Sequence, residues 1–162
     1  MRADALRNLD RVLDAASACF AERGVEVSVD EVARRAGVGH GTVFRRFPTK
    51  DALLDAVLGK ELDGMLLLAR AALVDEDPWD GFAGFFRAAA DGYGRNRALV
   101  ESKERCRALP QMRLVEKAAH QLVRRAQGAG SLRRDLDADE IFELVPAASR
   151  FPDVILDGLR TR

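Results

Sequence analysis

Apolar residues recur at helical spacing along almost the whole of this 162-residue chain. The first segment shows it most clearly, with apolar residues three or four positions apart at Leu6, Leu9, Leu13, Ala16 and Phe20. That repeat is typical of an amphipathic α-helix. No stretch alternates apolar and polar residues at the period of two that strands show. The pattern therefore predicts an all-α fold of about eight or nine helices.

Composition excludes several other classes of protein. Apolar residues make up 48% of the chain and charged residues 32%, a balance that argues against disorder. The longest apolar run, Met65–Ala69, is far shorter than the ~20 residues of a membrane span, so no membrane partner is expected. Cys19 and Cys106 lie far apart on apolar positions, which indicates buried thiols in a reducing, cytoplasmic compartment. The charged N-terminal segment does not resemble a signal peptide.

Residues 28–47 have the spacing of a helix-turn-helix motif. Ser28 and Glu31 have the spacing of a capping box at a helix start. Gly37 ends this first helix after about nine residues, because glycine favours the left-handed conformation found beyond a helix end. A second helix begins near Gly39–His40 and ends at Phe47–Pro48, since proline disfavours a helical residue before it. We therefore predict two short helices around a tight turn.

Positive charge is concentrated on this motif, although the 26 basic and 26 acidic residues of the chain balance. No acidic residue lies between Val32 and Lys50, and the segment holds five basic residues: Arg34, Arg35, Arg45, Arg46 and Lys50. Such a focus of charge is what a phosphate-binding surface requires. For Arg34 and Arg35 a solvated helix face is an equally good interpretation. The start of the second helix, where this motif meets the major groove, is formed by Gly39, His40, Gly41 and Thr42.

The run from Ser28 to Leu53 resembles the DNA-binding signature of TetR-family transcriptional regulators. The segment Leu6–Gly24 is similar to the family's first helix, which ends in a Phe-x-x-x-Gly pattern. The resemblance implies an N-terminal three-helix helix-turn-helix DNA-binding domain over residues 1–50 and a helical ligand-binding and dimerisation domain over residues 51–162.

The same resemblance implies a role for individual residues of the motif. Residues that would face DNA are His40, Gly41, Thr42, Arg45 and Arg46. Ser28 and Lys50 would contact phosphates. Phe44 stands where family members commonly have tyrosine, and it lacks the hydroxyl that binds a phosphate. It would pack instead against the DNA backbone or a thymine methyl.

A small apolar effector is predicted to bind among the helices between Leu62 and Val123. The candidate lining is mostly apolar, as in many ligand pockets, and consists of Met65, Leu66, Phe82, Phe86, Cys106 and Met112, with His120 as a polar contact. The same apolar residues could fill a dry core instead. A histidine at apolar helical spacing, such as His120, is more often a core residue than a ligand contact.

These observations predict a DNA-binding transcriptional repressor that a small apolar ligand releases from a palindromic operator, and that acts as a homodimer. No catalytic residue, metal ligand or cofactor is expected. The alternatives are a small helical enzyme, for which the sequence shows no converging titratable groups, and a constitutive repressor without a ligand.

The family usually ends in two long helices, whereas a dozen residues follow Arg150. Either the last helix is short or a loop is missing near Phe151–Pro152.

Overall fold

A computed structural model describes the backbone of residues 2–161 and the side chains of residues 7–161. Eleven α-helices and one 3-10 helix occur in the described chain: α1 (Arg2–Arg23), the 3-10 helix (Gly24–Glu26), α2 (Val29–Ala36), α3 (His40–Arg46), α4 (Lys50–Leu73), α5 (Pro78–Arg95), α6 (Arg97–Glu101), α7 (Lys103–Ala108), α8 (Pro110–Gly128), α9 (Ala138–Glu143), α10 (Val145–Ala148) and α11 (Pro152–Leu159). No strand occurs in these residues; one isolated bridge pairs Leu132 with Arg160. The predicted all-α fold is confirmed.

The chain divides into two compact units. The N-terminal unit comprises the residues up to Glu61 together with Arg95–Leu109, and it contains α1, α2, α3, α6, α7 and the first half of α4. The C-terminal unit comprises Leu62–Gly94 and the residues from Pro110 onward. Helix α4 is therefore shared between the units, and the segment Arg95–Leu109 belongs with the N-terminal helices although it follows α5 in sequence.

The core of the N-terminal unit is built on the apolar face of α1. Five residues of this helix are buried: Val12, Ala15, Ala16, Cys19 and Phe20. Leu9 and Leu13 are half-buried, and Leu6 lies outside the described side chains. Helix α1 packs against both α2 and α6. The helical repeat thus identified the buried face of α1 correctly, and that face supports the helix-turn-helix motif.

Aromatic residues of α5 lie at the centre of the C-terminal unit. Phe82 and Phe86 are completely buried, with ring centroids 5.8 Å apart, and the Trp79 ring lies 5.7 Å from that of Phe82. Apolar residues of α8, α9 and α11 complete the cluster, including Val123, Ile141, Leu156 and Leu159. Asp77 fixes the start of α5, because its Oδ1 accepts hydrogen bonds from the backbone N–H groups of Trp79 (2.7 Å) and Asp80 (3.2 Å).

The predicted number of helices was too low because two segments are interrupted. Apolar residues recur at helical spacing from Ile141 to Ala148, but α9 ends at Glu143 and α10 begins at Val145. Pro146 explains the break, since its ring lacks an N–H and clashes with the carbonyl four residues earlier in a continuous helix. The segment Arg95–Arg107 is likewise divided, because Ser102 (φ −114°, ψ 28°) leaves the helical conformation.

The longest helices do not suggest a membrane span. Helix α4 has 24 residues, but several charged side chains interrupt its apolar sequence. Within the described residues, no helix is both long and apolar enough to cross a bilayer.

Candidate nucleic-acid interface

The helix-turn-helix motif begins at the predicted cap. The Ser28 Oγ accepts a hydrogen bond from the Glu31 backbone N–H (3.3 Å), and the Ser28 N–H donates to Glu31 Oε2 (2.9 Å). This N–H and then the Arg23 guanidinium, 2.5 Å away, lower the pKa of Glu31 to about 2. Helix α2 ends at Gly37, whose φ of +66° is the left-handed conformation that favours glycine. The capping box and the glycine turn were both predicted correctly.

Helix α3 is anchored by one residue and exposes most of the others. Val43 is completely buried, and Phe47, just beyond the helix end, is also buried. Thr42 is half-buried, and the other α3 residues are exposed: His40, Gly41, Phe44, Arg45 and Arg46. A seven-residue helix with a single buried side chain gains little from packing. Its surface is therefore available to a partner.

The arginines of the motif divide into two kinds. Arg35 donates two hydrogen bonds to the Glu22 carboxylate on α1, at 2.7 and 2.8 Å, and this pairing raises the pKa of Arg35. Arg35 therefore joins α2 to α1, as bidentate arginine–carboxylate pairs do. Arg34, Arg45 and Arg46 are exposed and have no ion-pair partner among residues 7–161. Their positive charge is not neutralised within the described chain, as a phosphate-binding surface requires.

Helix α6 supports the motif through one carboxylate. Glu101 Oε2 accepts a hydrogen bond from the Val25 N–H (2.8 Å), and Glu101 Oε1 lies 2.5 Å from Arg97 Nε. The Val25 N–H and then Arg97 lower the pKa of Glu101. Gly24 has the left-handed φ of +72° that favours glycine, and a Cβ there would displace this carboxylate. This contact joins residues 76 positions apart, and helical periodicity does not reveal it.

Ion pairs within the N-terminal unit also join α7 to the first turns of α4. Arg105 lies 2.9 Å from Asp55 and 3.2 Å from Asp51. Thr49 caps α4, since its Oγ1 accepts a hydrogen bond from the Ala52 N–H (3.0 Å). Lys50, the first residue of α4, is half-buried beside this cap. The position of Lys50 at the edge of the motif is thus well defined.

The predicted effector residues fall in both units. Cys106 is buried in the N-terminal unit, where burial raises the pKa of its thiol, whereas the other six belong to the C-terminal unit. Phe82 and Phe86 lie in the packed core, and Leu66 is buried. Met65 and Met112 are half-buried. His120 is not a core histidine, because its Nε2 lies 2.9 Å from Asp139 Oδ1 and about a third of its side chain is exposed.

Gln111 is a polar residue that the sequence analysis missed. It stands beside Met112 in the first turn of α8, and its side-chain oxygen is buried without a hydrogen-bond partner in the described residues. A buried acceptor without a donor costs about 1–3 kcal/mol. A shallow groove of about 250 Å³ also occurs in the C-terminal unit, between α4 and α5, and none of the predicted effector residues lines it. Gln111 is therefore the stronger indication of a polar ligand contact.

The geometry of the N-terminal unit defines a helix-turn-helix protein, in which the second helix of the motif is exposed and positively charged. Comparison with known proteins agrees. Residues 12–57 match the family model of bacterial regulatory proteins of the tetR family, and residues 77–161 match the C-terminal domain of SbtR-like transcriptional regulators. The solved TetR transcription regulatory protein from Mycobacterium vanbaalenii is 40% identical, with a TM-score of 0.75 and coverage of 99% of both chains.

Two curated relatives are named as transcriptional repressors. The HTH-type transcriptional repressor Rv3405c of Mycobacterium tuberculosis is 41% identical over 87 residues, which are 51% of this chain and 46% of that protein. KstR2 of Mycolicibacterium smegmatis is 26% identical over 149 residues, 84% of this chain and 73% of that protein. The match to the first of these thus spans about half of the relative's length. The chain belongs to the TetR family of bacterial transcriptional regulators, as the segment Ser28–Leu53 suggested.

Proposed function

We propose that this chain is a repressor that binds a palindromic operator in double-stranded DNA through α3, and that a small-molecule effector releases it. The observation that carries the proposal is the exposed surface of α3 with two arginines, Arg45 and Arg46, that have no ion-pair partner in the described residues. The repressors Rv3405c and KstR2 support the direction of regulation. These features fit a cytoplasmic DNA-binding protein without a cofactor better than they fit an enzyme.

Different residues of the motif would contact phosphates and base edges. Phosphates would be bound by Ser28, Arg45, Arg46 and Lys50, and base edges by His40 and Thr42. Phe44, half of whose surface is exposed (51%), would pack against the sugar–phosphate backbone or a thymine methyl. Gly39 and Gly41 would leave room for the DNA, because an added Cβ at either position meets no atom of the chain within 4 Å.

Gly41 provides a test in which stability and DNA binding should change in opposite directions. Glycine inside a helix is about 1 kcal/mol less favourable than alanine, so Gly41→Ala should stabilise the protein by up to about that amount. The same methyl group should weaken DNA binding several-fold, because it occupies the surface that we assign to DNA. Denaturant unfolding and a fluorescence titration of labelled duplex measure the two effects.

Gly64→Ala is the matched control for Gly41→Ala. Gly64 lies in the interior of α4, and a Cβ there also meets no atom within 4 Å. This variant should gain stability and bind DNA as the wild type does. Unchanged DNA affinity of Gly41→Ala would contradict the assignment of this surface.

A homodimer would place two copies of α3 on one palindromic site. The C-terminal unit supports this proposal, because it exposes large apolar side chains: Leu114 on α8, Phe151 just before α11, and Val154 within α11. Exposed apolar residues of this kind mark protein interfaces when they form a contiguous patch. We propose the same functional division as the sequence suggested, with DNA binding in residues 1–50 and effector binding and dimerisation in residues 51–162, although residues 51–61 and Arg95–Leu109 belong structurally to the N-terminal unit.

Val154→Arg should convert the protein to a monomer at micromolar concentration, because a charge buried in an apolar interface is strongly unfavourable. Light scattering after gel filtration measures the mass. Val74→Arg is the control: Val74 is 82% exposed, compared with 69% for Val154, but it lies in the loop after α4 rather than in the last helices. Equal masses for wild type and Val154→Arg would contradict the assigned interface.

The effector site is proposed within the C-terminal unit, beside the half-buried Met65 and Met112 and the buried Leu66. Phe82 and Phe86 would form its inner wall, and His120 would lie at its rim. Cys106 belongs to the N-terminal unit, and we leave it out of this site. The buried Gln111 oxygen without a donor suggests an effector with a hydroxyl or amino group on an apolar body.

A thermal-shift screen of apolar alcohols, phenols and amines should therefore yield ligands that raise the melting temperature. By linkage, a ligand that weakens operator binding must bind more weakly to the operator complex by the same factor, typically 5- to 150-fold. Gln111→Leu should lower the affinity for such a ligand without changing DNA affinity in its absence. Gln121→Leu, on the exposed surface of α8, is the control. Ligands that bind equally well with and without operator would favour a constitutive repressor.

A further inference from the structure

Two helix starts of the motif meet at His40. The Nδ1 atom of His40, the first residue of α3, lies 2.5 Å from Oδ1 of Asp30, the second residue of α2. The imidazole ring also stacks on Phe44, one turn further along α3, with ring centroids 5.8 Å apart and planes inclined by 20°. The ring is therefore held at one nitrogen and on one face, although 53% of the His40 side chain stays exposed.

As an exposed carboxylate in the first turn of α2, Asp30 interacts favourably with the helix dipole, but this contribution to stability is small. Its side chain is 70% exposed, and no lysine or arginine of the described chain pairs with it. The capping box at the start of α2 uses Ser28 and Glu31 rather than Asp30. Beside a helix that faces phosphates, a carboxylate also weakens DNA binding by like-charge repulsion. General affinity for DNA therefore does not explain a carboxylate at this position.

We propose that Asp30 is a positioning residue for base recognition by His40. Its carboxylate accepts the Nδ1 hydrogen and holds the ring in one orientation, so that Nε2 is the atom presented to the base edge. Each base pair offers a distinct pattern of donors and acceptors in the major groove. A ring with a fixed orientation and a fixed hydrogen-bonding role distinguishes these patterns, whereas a rotating ring does not. The inference rests on the proposed DNA interface of α3.

The test measures base preference rather than affinity alone. Wild type, Asp30→Ala, Asp30→Asn, His40→Ala and the Asp30→Ala/His40→Ala double variant are titrated with the operator selected by the wild type and with each of its single-base substitutions. His40→Ala should reduce the preference at one position of each half-site by roughly tenfold, which corresponds to about 1.4 kcal/mol. Asp30→Ala should lose most of the preference at the same position. The double variant should lose no more than His40→Ala.

Asp30→Asn should retain the preference, because its amide oxygen still accepts the Nδ1 hydrogen without carrying a charge. Asp14→Ala is the control for charge: it removes another exposed carboxylate of the N-terminal unit, one that pairs with Lys60, and it should leave base preference unchanged. Melting temperatures confirm that each variant is folded.

Two results would overturn the inference, and they differ in what else they affect. If Asp30→Ala strengthens binding to every duplex equally and keeps the His40-dependent preference, Asp30 acts by charge alone, and the proposed interface still stands. If the wild type shows no base preference at any position, both the inference and the proposed interface are wrong.

Discussion

Replacing Arg45 and Arg46 together with alanine should abolish most of the DNA affinity of this protein. The two guanidinium groups are exposed and have no ion-pair partner in the described residues, so their charge is available for phosphates. Each phosphate contact contributes about 0.9 to the slope of log affinity against log salt, and the double variant should lose about two such contributions per subunit, or about four for the homodimer. Affinity at low salt should fall roughly 10- to 100-fold. Titrations of labelled duplex at several salt concentrations measure both quantities.

Arg35→Ala is the matched control, because Arg35 lies in the same acid-free segment but is bound to Glu22. Its removal should lower stability slightly, as expected for an exposed ion pair, and leave the salt slope nearly unchanged. If the double variant retains the wild-type slope, Arg45 and Arg46 do not neutralise phosphates, and α3 is not the phosphate-binding surface.

Replacing Phe86 with alanine should destabilise the protein by about 3–5 kcal/mol, the range observed when a buried phenylalanine is truncated. Phe86 is completely buried, and its ring lies 5.8 Å from that of Phe82 and 6.1 Å from that of Phe142. The melting temperature should fall on the order of 10 °C, since each kcal/mol shifts it by about 2–4 °C in a protein of this size. Thermal unfolding followed by circular dichroism measures the change.

Phe44→Ala is the control for Phe86→Ala, because Phe44 is half exposed and contributes little to a core. Its melting temperature should be close to that of the wild type. A melting temperature of Phe86→Ala equal to that of the wild type would contradict the packing described for α5. The size of the expected loss also explains why Gln111, rather than Phe86, is the better position at which to test effector binding.

Local signals in the sequence predicted the helix boundaries of the helix-turn-helix motif. The cap at Ser28 forms as predicted, and Thr49, Asp77 and Asp137 cap their helices in the same way, because each cap depends on residues two or three positions apart. Left-handed Gly37 likewise ends α2 where expected. These features follow from hydrogen bonds between residues that are close in sequence, so the sequence pattern predicts them directly.

Contacts between distant residues could not be predicted in the same way. The pairs Asp30–His40 and Arg35–Glu22 depend on how two helices cross, and helical periodicity does not specify that angle. For the same reason, the sequence did not reveal that Cys106 belongs to the N-terminal unit. The contact between His120 and Asp139 could not be foreseen either, because the two residues lie on different helices.

The most direct test of the central claim is selection of bound sequences from a random pool of double-stranded DNA by the purified protein. We expect an enriched sequence with inverted symmetry, whose half-sites lie about one helical turn or slightly more apart. In the same selection, His40 and Thr42 variants should enrich altered half-sites, whereas a Lys50 variant should enrich the wild-type sequence with weaker binding. Enrichment of no sequence, or of one without inverted symmetry, would contradict a dimeric repressor that reads its operator through α3.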